Sequence, residues 1–318
     1  MSTDHPHIGV KLTVDELLAM RQQAANLDLS SNYQVSSTLA GGYRSKFRGR
    51  GMDFDEVRLY QPGDDIRNID WRVTARTGKA HTKLFKEERE RPVFILLDQS
   101  PALFFGSQVA FKSVIAARAA ALLIWASINA GSRIGGVIFD EQDYLVHRPS
   151  GQRKEALSML RKIVNRHNQV YERMQSGQID LSDDGQSLQE SLARLRRLAK
   201  PGSLIYLFSD FQRMNNDARR HLSHLCRHNE LQAYLLTDKL DEQLPPAGLY
   251  SVTDGQDVGL IKTGDKSLYD RYALAHREHL EELTTLFQQN KIMFDTLPTN
   301  AEIAVVLAAA STPRIIKK

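Results

Sequence analysis

The chain has 318 residues, 42% of them hydrophobic, and a formal net charge of +4. This length allows one large domain or two modest ones. The single cysteine, Cys226, excludes an intramolecular disulfide and a cysteine-rich zinc site. The longest apolar run, residues 116–130, contains Arg118 and is shorter than the roughly 20 residues that a membrane-spanning helix needs. Because the N-terminus also lacks a leader-like pattern, we expect a cytoplasmic protein without a membrane span.

The first ninety residues predict one helix and then a basic, turn-rich segment. Residues 11–29 carry a one-sided apolar stripe, and Thr13 with Glu16 fits a capping box. Glycines punctuate the chain as far as Thr77-Gly78, and residues 81–88 alternate weakly, which predicts an extended arm. Residues 41–91 contain 13 Lys and Arg and 9 Asp and Glu, so this segment holds the whole positive excess.

From residue 92 onward, predicted strands alternate with predicted helices. Residues 93–97, VFILL, form a continuous apolar run, which is typical of a strand in a sheet covered on both faces. The further predicted strands are 133–139, 142–148, 203–210, 230–238 and 291–298, with a hairpin over 248–263; the predicted helices are 108–130, 151–170, 187–199, 217–229, 267–290 and 300–311. This order predicts an α/β fold with a doubly wound, mostly parallel sheet. We therefore divide the chain into an N-terminal helix with a basic, glycine-rich arm (1–91), which we expect to pack on the rest, and a sheet domain (92–318).

Three aspartates lie at the carboxyl ends of predicted strands: Asp98, Asp210 and Asp238. Ligands of such sheets bind at the carboxyl ends of the strands, near a switch in strand order. For Asp238 we expect a structural role in capping the next turn. Asp98 and Ser100 begin a D-x-S-x-S pattern, whose oxygens suit a hard divalent cation, although Ala102 breaks it. Asp98 and Asp210 are expected to meet at one edge of the sheet.

The segment FRGRGMDFDEVRLYQPGDDIRNIDWRVTARTGKAHTKLFKEERERPVFILLDQS, residues 47–100, closely resembles the signature of the DUF58 family. The resemblance is dense over residues 44–107 and fainter, by element order, to about residue 300. Proteins of that family are similar to von Willebrand factor A domains and accompany MoxR-type AAA+ ATPases. The resemblance therefore implies a von Willebrand factor A fold, a protein-binding role and a metal-ion-dependent adhesion site.

That adhesion site carries over only in part. The resemblance places the ligands of Mg²⁺ at Asp98, Ser100, Ser187 and Asp210. Ser187 stands where the fold usually has threonine, which also offers a hydroxyl, but Ala102 replaces the second serine. Water can take the place of that hydroxyl at a cost of about 0–2 kcal/mol. We therefore expect a degenerate site for Mg²⁺.

The basic segment offers a second candidate surface. Arg44, Lys46, Arg48 and Arg50 occupy alternate positions, so an extended chain would project all four to one side. We expect this face to bind a partner protein, and we regard nucleic acid as the weaker alternative. Downstream, acidic and basic residues are interleaved, which predicts an internal salt-bridge network of Asp64, Asp65, Arg67, Asp70 and Arg72. Such a network would hold Trp71 in a buried pocket.

These patterns lead to one functional hypothesis and two alternatives. We expect a non-enzymatic adaptor that binds a MoxR-type AAA+ ATPase and an unknown client protein, in the assembly or maturation of other proteins. The first alternative is a metal-dependent phosphoesterase or nuclease with Asp98 and Asp210 as ligands. The second is an RNA-binding protein that uses the basic arm. The chain has no phosphate-binding G-x-x-x-x-G-K-[ST] loop and no dinucleotide fingerprint.

Overall fold

The computed structural model describes residues 9–25, 27, 52–62, 64–87, 91–179, 184–253 and 258–310. Two compact units emerge: residues 1–37 with 91–318, and residues 38–90. The domain boundary drawn near residue 91 therefore needs one revision, because the N-terminal helix groups with the sheet. Arg44, Lys46, Arg48 and Arg50 lie outside the described residues, so their partner-binding role stays a prediction.

The sheet unit contains most of the regular structure. Its strands are β3 (Val93–Asp98), β4 (Ile134–Phe139), β5 (Tyr144–Ser150), β6 (Leu204–Ser209), β7 (Glu230–Thr237), β8 (Gly248–Thr253), β9 (Val258–Thr263) and β10 (Met293–Pro298). Its helices are α1 (Val14–Ala24), α3 (Lys112–Asn129), α4 (Arg153–Gln175), α5 (Gln186–Leu198), α6 (Asn216–Cys226), α7 (Lys239–Glu242), α8 (Lys266–Gln289) and α9 (Ile303–Ala310). The smaller unit holds β1 (Met52–Leu59), α2 (Trp71–Thr77) and β2 (His81–Glu87).

Six strands form the central sheet in the order β10-β7-β6-β3-β4-β5. All neighbours are parallel except β4 and β5, which pair antiparallel. The chain proceeds from β3 to β4 on one side and later returns to β6 on the other. The strand order therefore switches between β3 and β6, at the point where open α/β sheets form a crevice. The predicted mostly parallel α/β sheet is confirmed.

Helices cover both faces of this sheet, because successive side chains of its strands point to opposite sides. Ile95 and Leu97 of β3 face a core shared with α1, α3, α4 and α9. Phe94 and Leu96 face a second core shared with α5, α6 and α8. Burial on both faces explains why β3 is a continuous apolar run.

Helix α1 packs on the sheet unit through α3. Thr13 caps α1 by accepting a hydrogen bond from the backbone N–H of Glu16, which is one half of the predicted capping box. The indole N–H of Trp125 donates to the carbonyl of Leu17 over 3.0 Å, and Arg118 pairs with Glu16. Of the described helices, α3 alone is long and apolar enough to cross a membrane, and 83% of its apolar window is buried. Its burial is that of a core helix.

The smaller unit differs from the sequence interpretation in two elements. β1 pairs antiparallel with β2, and α2 is a helix of 7 residues that pattern reasoning did not predict. The predicted salt-bridge network is also wrong in part. Asp65 and Asp70 accept hydrogen bonds from the backbone N–H groups of Arg67 and Arg72. Trp71 is 68% exposed rather than held in a pocket.

Candidate cation site at the carboxyl edge of the sheet

Asp98 is the last residue of β3, and it is buried at the point where the strand order switches. Its Oδ1 accepts a hydrogen bond from the backbone N–H of Ser100 over 2.8 Å. Its Oδ2 accepts from the hydroxyl of Ser209, the last residue of β6, over 2.5 Å. The sheet register produces this contact, since Leu97 is paired with Phe208 and each strand continues by one residue, to Asp98 and to Ser209.

Asp210 brings a second buried carboxylate to the same place. It follows Ser209 directly, is 7% exposed, and its Oδ1 accepts a hydrogen bond from the backbone N–H of Gln212. Burial, and then the negative charge of Asp210, raise the pKa of Asp98 to about 7. Within the described part of the chain, neither carboxylate forms an ion pair with Lys or Arg. The two aspartates predicted to converge do so.

The backbone after Asp210 is held in an uncommon conformation. Phe211 has a positive φ of 53°, which costs a non-glycine residue about 1–3 kcal/mol. Its buried ring packs edge-on against Phe287, and its backbone N–H donates to the hydroxyl of Ser209 over 3.0 Å. His279 of α8 also bonds to the carbonyl oxygen of Asp210, over 3.0 Å. These contacts fix the direction in which Asp210 leaves the sheet.

Ser187 lies at the start of α5, where this segment approaches the ends of both neighbours of β3. Its hydroxyl donates to the carbonyl of Glu141, just after β4, over 3.1 Å. On the other side, a Cβ on Gly185, whose φ is +100°, would lie 2.2 Å from the carbonyl oxygen of Arg213, in the loop after β6. Ser187 is therefore held between the ends of β4 and β6. A hydroxyl that donates its proton still carries oxygen lone pairs, which a cation ligand needs.

The four predicted ligands differ in how directly the structure joins them. Asp98, Ser100 and Asp210 cluster at the β3–β6 switch, while Ser187 approaches from the helix layer. Ala102 lies in an exposed position of the 3-10 turn Pro101–Leu103. In the described residues, no group of three or more His, Cys, Asp or Glu side chains is placed to hold a metal ion. Any cation here would bind through two carboxylates, hydroxyls and water, a donor set that fits Mg²⁺.

Sequence reasoning missed an acidic pair at the end of β4. Asp140 accepts hydrogen bonds from Arg166 and Arg173 of α4 over 2.7 and 2.8 Å. Arg173 also donates to Glu141 over 2.8 Å. These contacts hold the pKa of Asp140 below its usual value, while burial raises that of Glu141. The missed signal was a fourth strand followed by carboxylates, together with two arginines seven residues apart on one helix face.

The third strand-end aspartate, Asp238, has a structural role, as expected. Its Oδ1 accepts from the backbone N–H of Leu240 over 3.0 Å. Its Oδ2 accepts from the backbone N–H of Ser107 and the hydroxyl of Thr299, over 3.0 and 2.5 Å. These donors lower its pKa. Asp238 is the N-cap of α7 and forms a capping box with Asp241, so it acts as a cap.

Comparison with known proteins identifies the family of this chain. The sequence model described as "Protein of unknown function DUF58" matches residues 56–282. The chain belongs to the DUF58 family. This DUF58 protein is similar to "Uncharacterized protein Rv1480" of Mycobacterium tuberculosis and to "Uncharacterized protein Mb1516" of Mycobacterium bovis. Each is 29% identical over 255 residues, and the alignment covers 80% of this chain and 76% of the relative. Among solved structures, "conserved hypothetical protein BatB" from Bacteroides thetaiotaomicron aligns with a TM-score of 0.41 and 12% identity, over 69% of this chain and 96% of that one. Similarity at that level does not define the fold type.

Proposed function

We propose that the sheet unit is a von Willebrand factor A-like binding module. In this proposal Asp98, Ser100, Ser187 and Asp210 hold Mg²⁺, and a carboxylate of a client protein completes its coordination. The observation that carries the proposal is the buried pair Asp98 and Asp210 at the strand-order switch, with no basic partner within the described residues. Two such carboxylates repel each other, and a divalent cation between them would turn that repulsion into attraction.

The role we propose is non-enzymatic. The resemblance stated from the sequence implies a MoxR-type AAA+ ATPase as the partner, and we propose that this protein links that ATPase to its client. Cation coordination suits such a role, since one client carboxylate supplies both charge and direction. Within the described residues, no group of three or more acidic or histidine side chains is placed to hold a metal ion, and the ring of His279 bonds to the backbone carbonyl of Asp210. This favours binding over phosphodiester hydrolysis.

Size-exclusion chromatography of the protein with a MoxR-type ATPase from the same source tests the partner. We expect the two to co-elute, and we expect client capture by the complex to require Mg²⁺ and to be lost in Asp98→Ala. Asp238→Ala is the matched control, because that aspartate also ends a strand but serves as a cap. Failure of the ATPase to co-elute, with or without Mg²⁺, would remove the adaptor role.

A further inference from the structure

Helix α2 has a solvent-exposed face of aromatic and cationic side chains. Trp71 is 68% exposed, and Arg72 and Arg76 are also exposed. Arg72 and Arg76 are four residues apart, so they lie on one side of the helix. Val73 and Thr74 on the other side are less exposed. The helix therefore turns its tryptophan and both of its arginines toward solvent.

Hydrogen bonds from outside the exposed face hold helix α2 in place. Asp70 caps α2 by accepting hydrogen bonds from the backbone N–H groups of Arg72 and Val73 over 3.0 and 3.2 Å. Gly78 ends the helix in the left-handed conformation. Thr74 accepts from the backbone N–H of His81 over 3.0 Å, and Asp70 donates its own N–H to the carbonyl of His81 over 2.8 Å. A helix this short is marginal alone, so these bonds preorganise it.

The surface around α2 has an excess of exposed basic side chains. Arg67, Arg72, Arg76 and Lys79 are exposed, and within the described part of the chain their side chains form no ion pair. Two nearby carboxylates make contacts inside this unit: Asp64 pairs with Arg58 over 2.8 Å, and Asp70 caps α2. Ile66, in the preceding 3-10 turn, is 64% exposed and adds apolar surface.

We propose that the exposed face of α2, with Ile66, Arg67 and Lys79, is a docking surface for an acidic protein surface that has an apolar recess for the Trp71 indole. Trp and Arg are the side chains that dominate binding energy at protein interfaces, where an apolar anchor is surrounded by polar contacts. The surface goes beyond the cation site of the proposed function, and its occupant is the partner ATPase of that function. A protein fits better than nucleic acid because Ile66 is 64% exposed beside Trp71, and a protein surface offers the apolar contacts that such a side chain needs.

Fluorine NMR of protein labelled with 5-fluorotryptophan tests this surface. The chain has two tryptophans; Trp125 is buried at 1% exposure and serves as the internal control, while Trp71→Phe assigns the second signal. The unlabelled ATPase is added with and without Mg²⁺, and a single-stranded RNA oligonucleotide is added in a parallel titration. We expect the ATPase to shift or broaden the Trp71 signal, to leave Trp125 unchanged, and to do so independently of Mg²⁺.

Affinity measurements on variants complete the test. We expect Trp71→Ala and the double reversal Arg72→Glu with Arg76→Glu each to weaken ATPase binding at least tenfold. Arg161→Glu, an exposed site on α4, should leave it unchanged. Co-elution of the ATPase with an unperturbed Trp71 signal would overturn this surface while leaving the adaptor role intact. A Trp71 response to RNA but not to the ATPase, or to neither, would also overturn it, whereas co-elution alone decides the proposed function.

Discussion

The hydroxyl of Ser209 donates a hydrogen bond to Asp98 Oδ2 over 2.5 Å, and this contact joins the last residues of β3 and β6. The next residue, Asp210, therefore starts beside Asp98, at the switch in strand order. Chain positions 98 and 210 become neighbours because β3 and β6 are parallel and paired as far as Leu97 and Phe208, one residue before each strand ends. The candidate site is thus a consequence of the sheet.

The first prediction concerns pH and stability. In the cation-free folded protein the pKa of Asp98 is raised from 3.8 to about 7, so the folded state holds a proton that the unfolded state releases near pH 4. This contribution to stability is complete below pH 4 and is lost as the pH rises through 7. At about 1.4 kcal/mol per pKa unit, it amounts to at most roughly 4 kcal/mol.

Urea unfolding in EDTA, at pH 4.5, 6 and 7.5, measures this effect for the wild type and Asp98→Asn. We expect the stability of the wild type relative to the variant to fall by several kcal/mol across the range. His147 and His167 have lowered pKa values and act in the opposite direction, but they do so in both proteins and cancel. A constant difference between the two proteins would contradict the assignment.

The second prediction concerns cation affinity. A cation that binds between Asp98 and Asp210 must displace the proton held by Asp98, so affinity should depend on pH. We expect Mg²⁺ to bind about tenfold more weakly for each pH unit below 7. Titration calorimetry at pH 6 and pH 8 measures this, and the heat at pH 6 should vary with the ionisation enthalpy of the buffer. Equal affinities at the two pH values would show that no proton is displaced.

The third prediction concerns Gly185. Alanine here would combine a φ of +100° with a Cβ 2.2 Å from the carbonyl oxygen of Arg213, so the start of α5 would have to move. We expect Gly185→Ala to lower stability by about 2–4 kcal/mol and to weaken Mg²⁺ binding by displacing Ser187. Gly202→Ala is the matched control, because Gly202 has a φ of +87° with no atom within 4 Å of the added Cβ.

The stability of the control variant should fall only by the cost of the strained backbone, about 1–2 kcal/mol. Its Mg²⁺ binding should be unchanged. Thermal unfolding and Mg²⁺ calorimetry on both variants separate steric displacement from backbone strain. Equal losses in the two variants would mean that the approach of α5 to the loop after β6 does not position Ser187.

Much of the fold was predictable, and the reasons lie in particular elements. The apolar run of β3 and the alternating strands and helices specify a sheet covered on both faces, and the hairpin over 248–263 appears as β8 and β9. β1 was missed because MDFDEVRL mixes three acids and an arginine with its apolar residues. α2 was missed because its start depends on one capping aspartate and its length is below what periodicity can reveal.

The candidate site was predictable only in outline. Aspartates at the carboxyl ends of parallel strands lie at one edge of the sheet, and this rule predicted that Asp98 and Asp210 would be close together. The rule does not give register, so it could not show that the hydroxyl of Ser209, rather than that of another serine, bonds to Asp98. Nor could it pair Asp140 with Arg166 and Arg173, since a helix face meets a strand end only after the fold is known.

The fourth prediction follows from that pairing. Arg173 donates to both Asp140 and Glu141, and the side chains of both acids are fully buried. Replacing it with methionine leaves Glu141 without its cationic partner, so we expect Arg173→Met to cost about 3 kcal/mol. Arg161→Met, an exposed site on the same helix, should cost less than about 0.5 kcal/mol. Urea unfolding at pH 7 compares them, and similar losses would show that the buried pair is not stabilising.

The most direct test of the account is Mn²⁺ binding, measured by electron paramagnetic resonance of the free ion. We predict one site in the wild type that Mg²⁺ displaces. It should be lost in Asp98→Asn and in Asp210→Asn and retained in Asp238→Asn, whose aspartate serves as a cap. Wild-type protein that leaves all Mn²⁺ free, or Asp98→Asn and Asp210→Asn variants that bind as the wild type does, would contradict a cation site between these two strands.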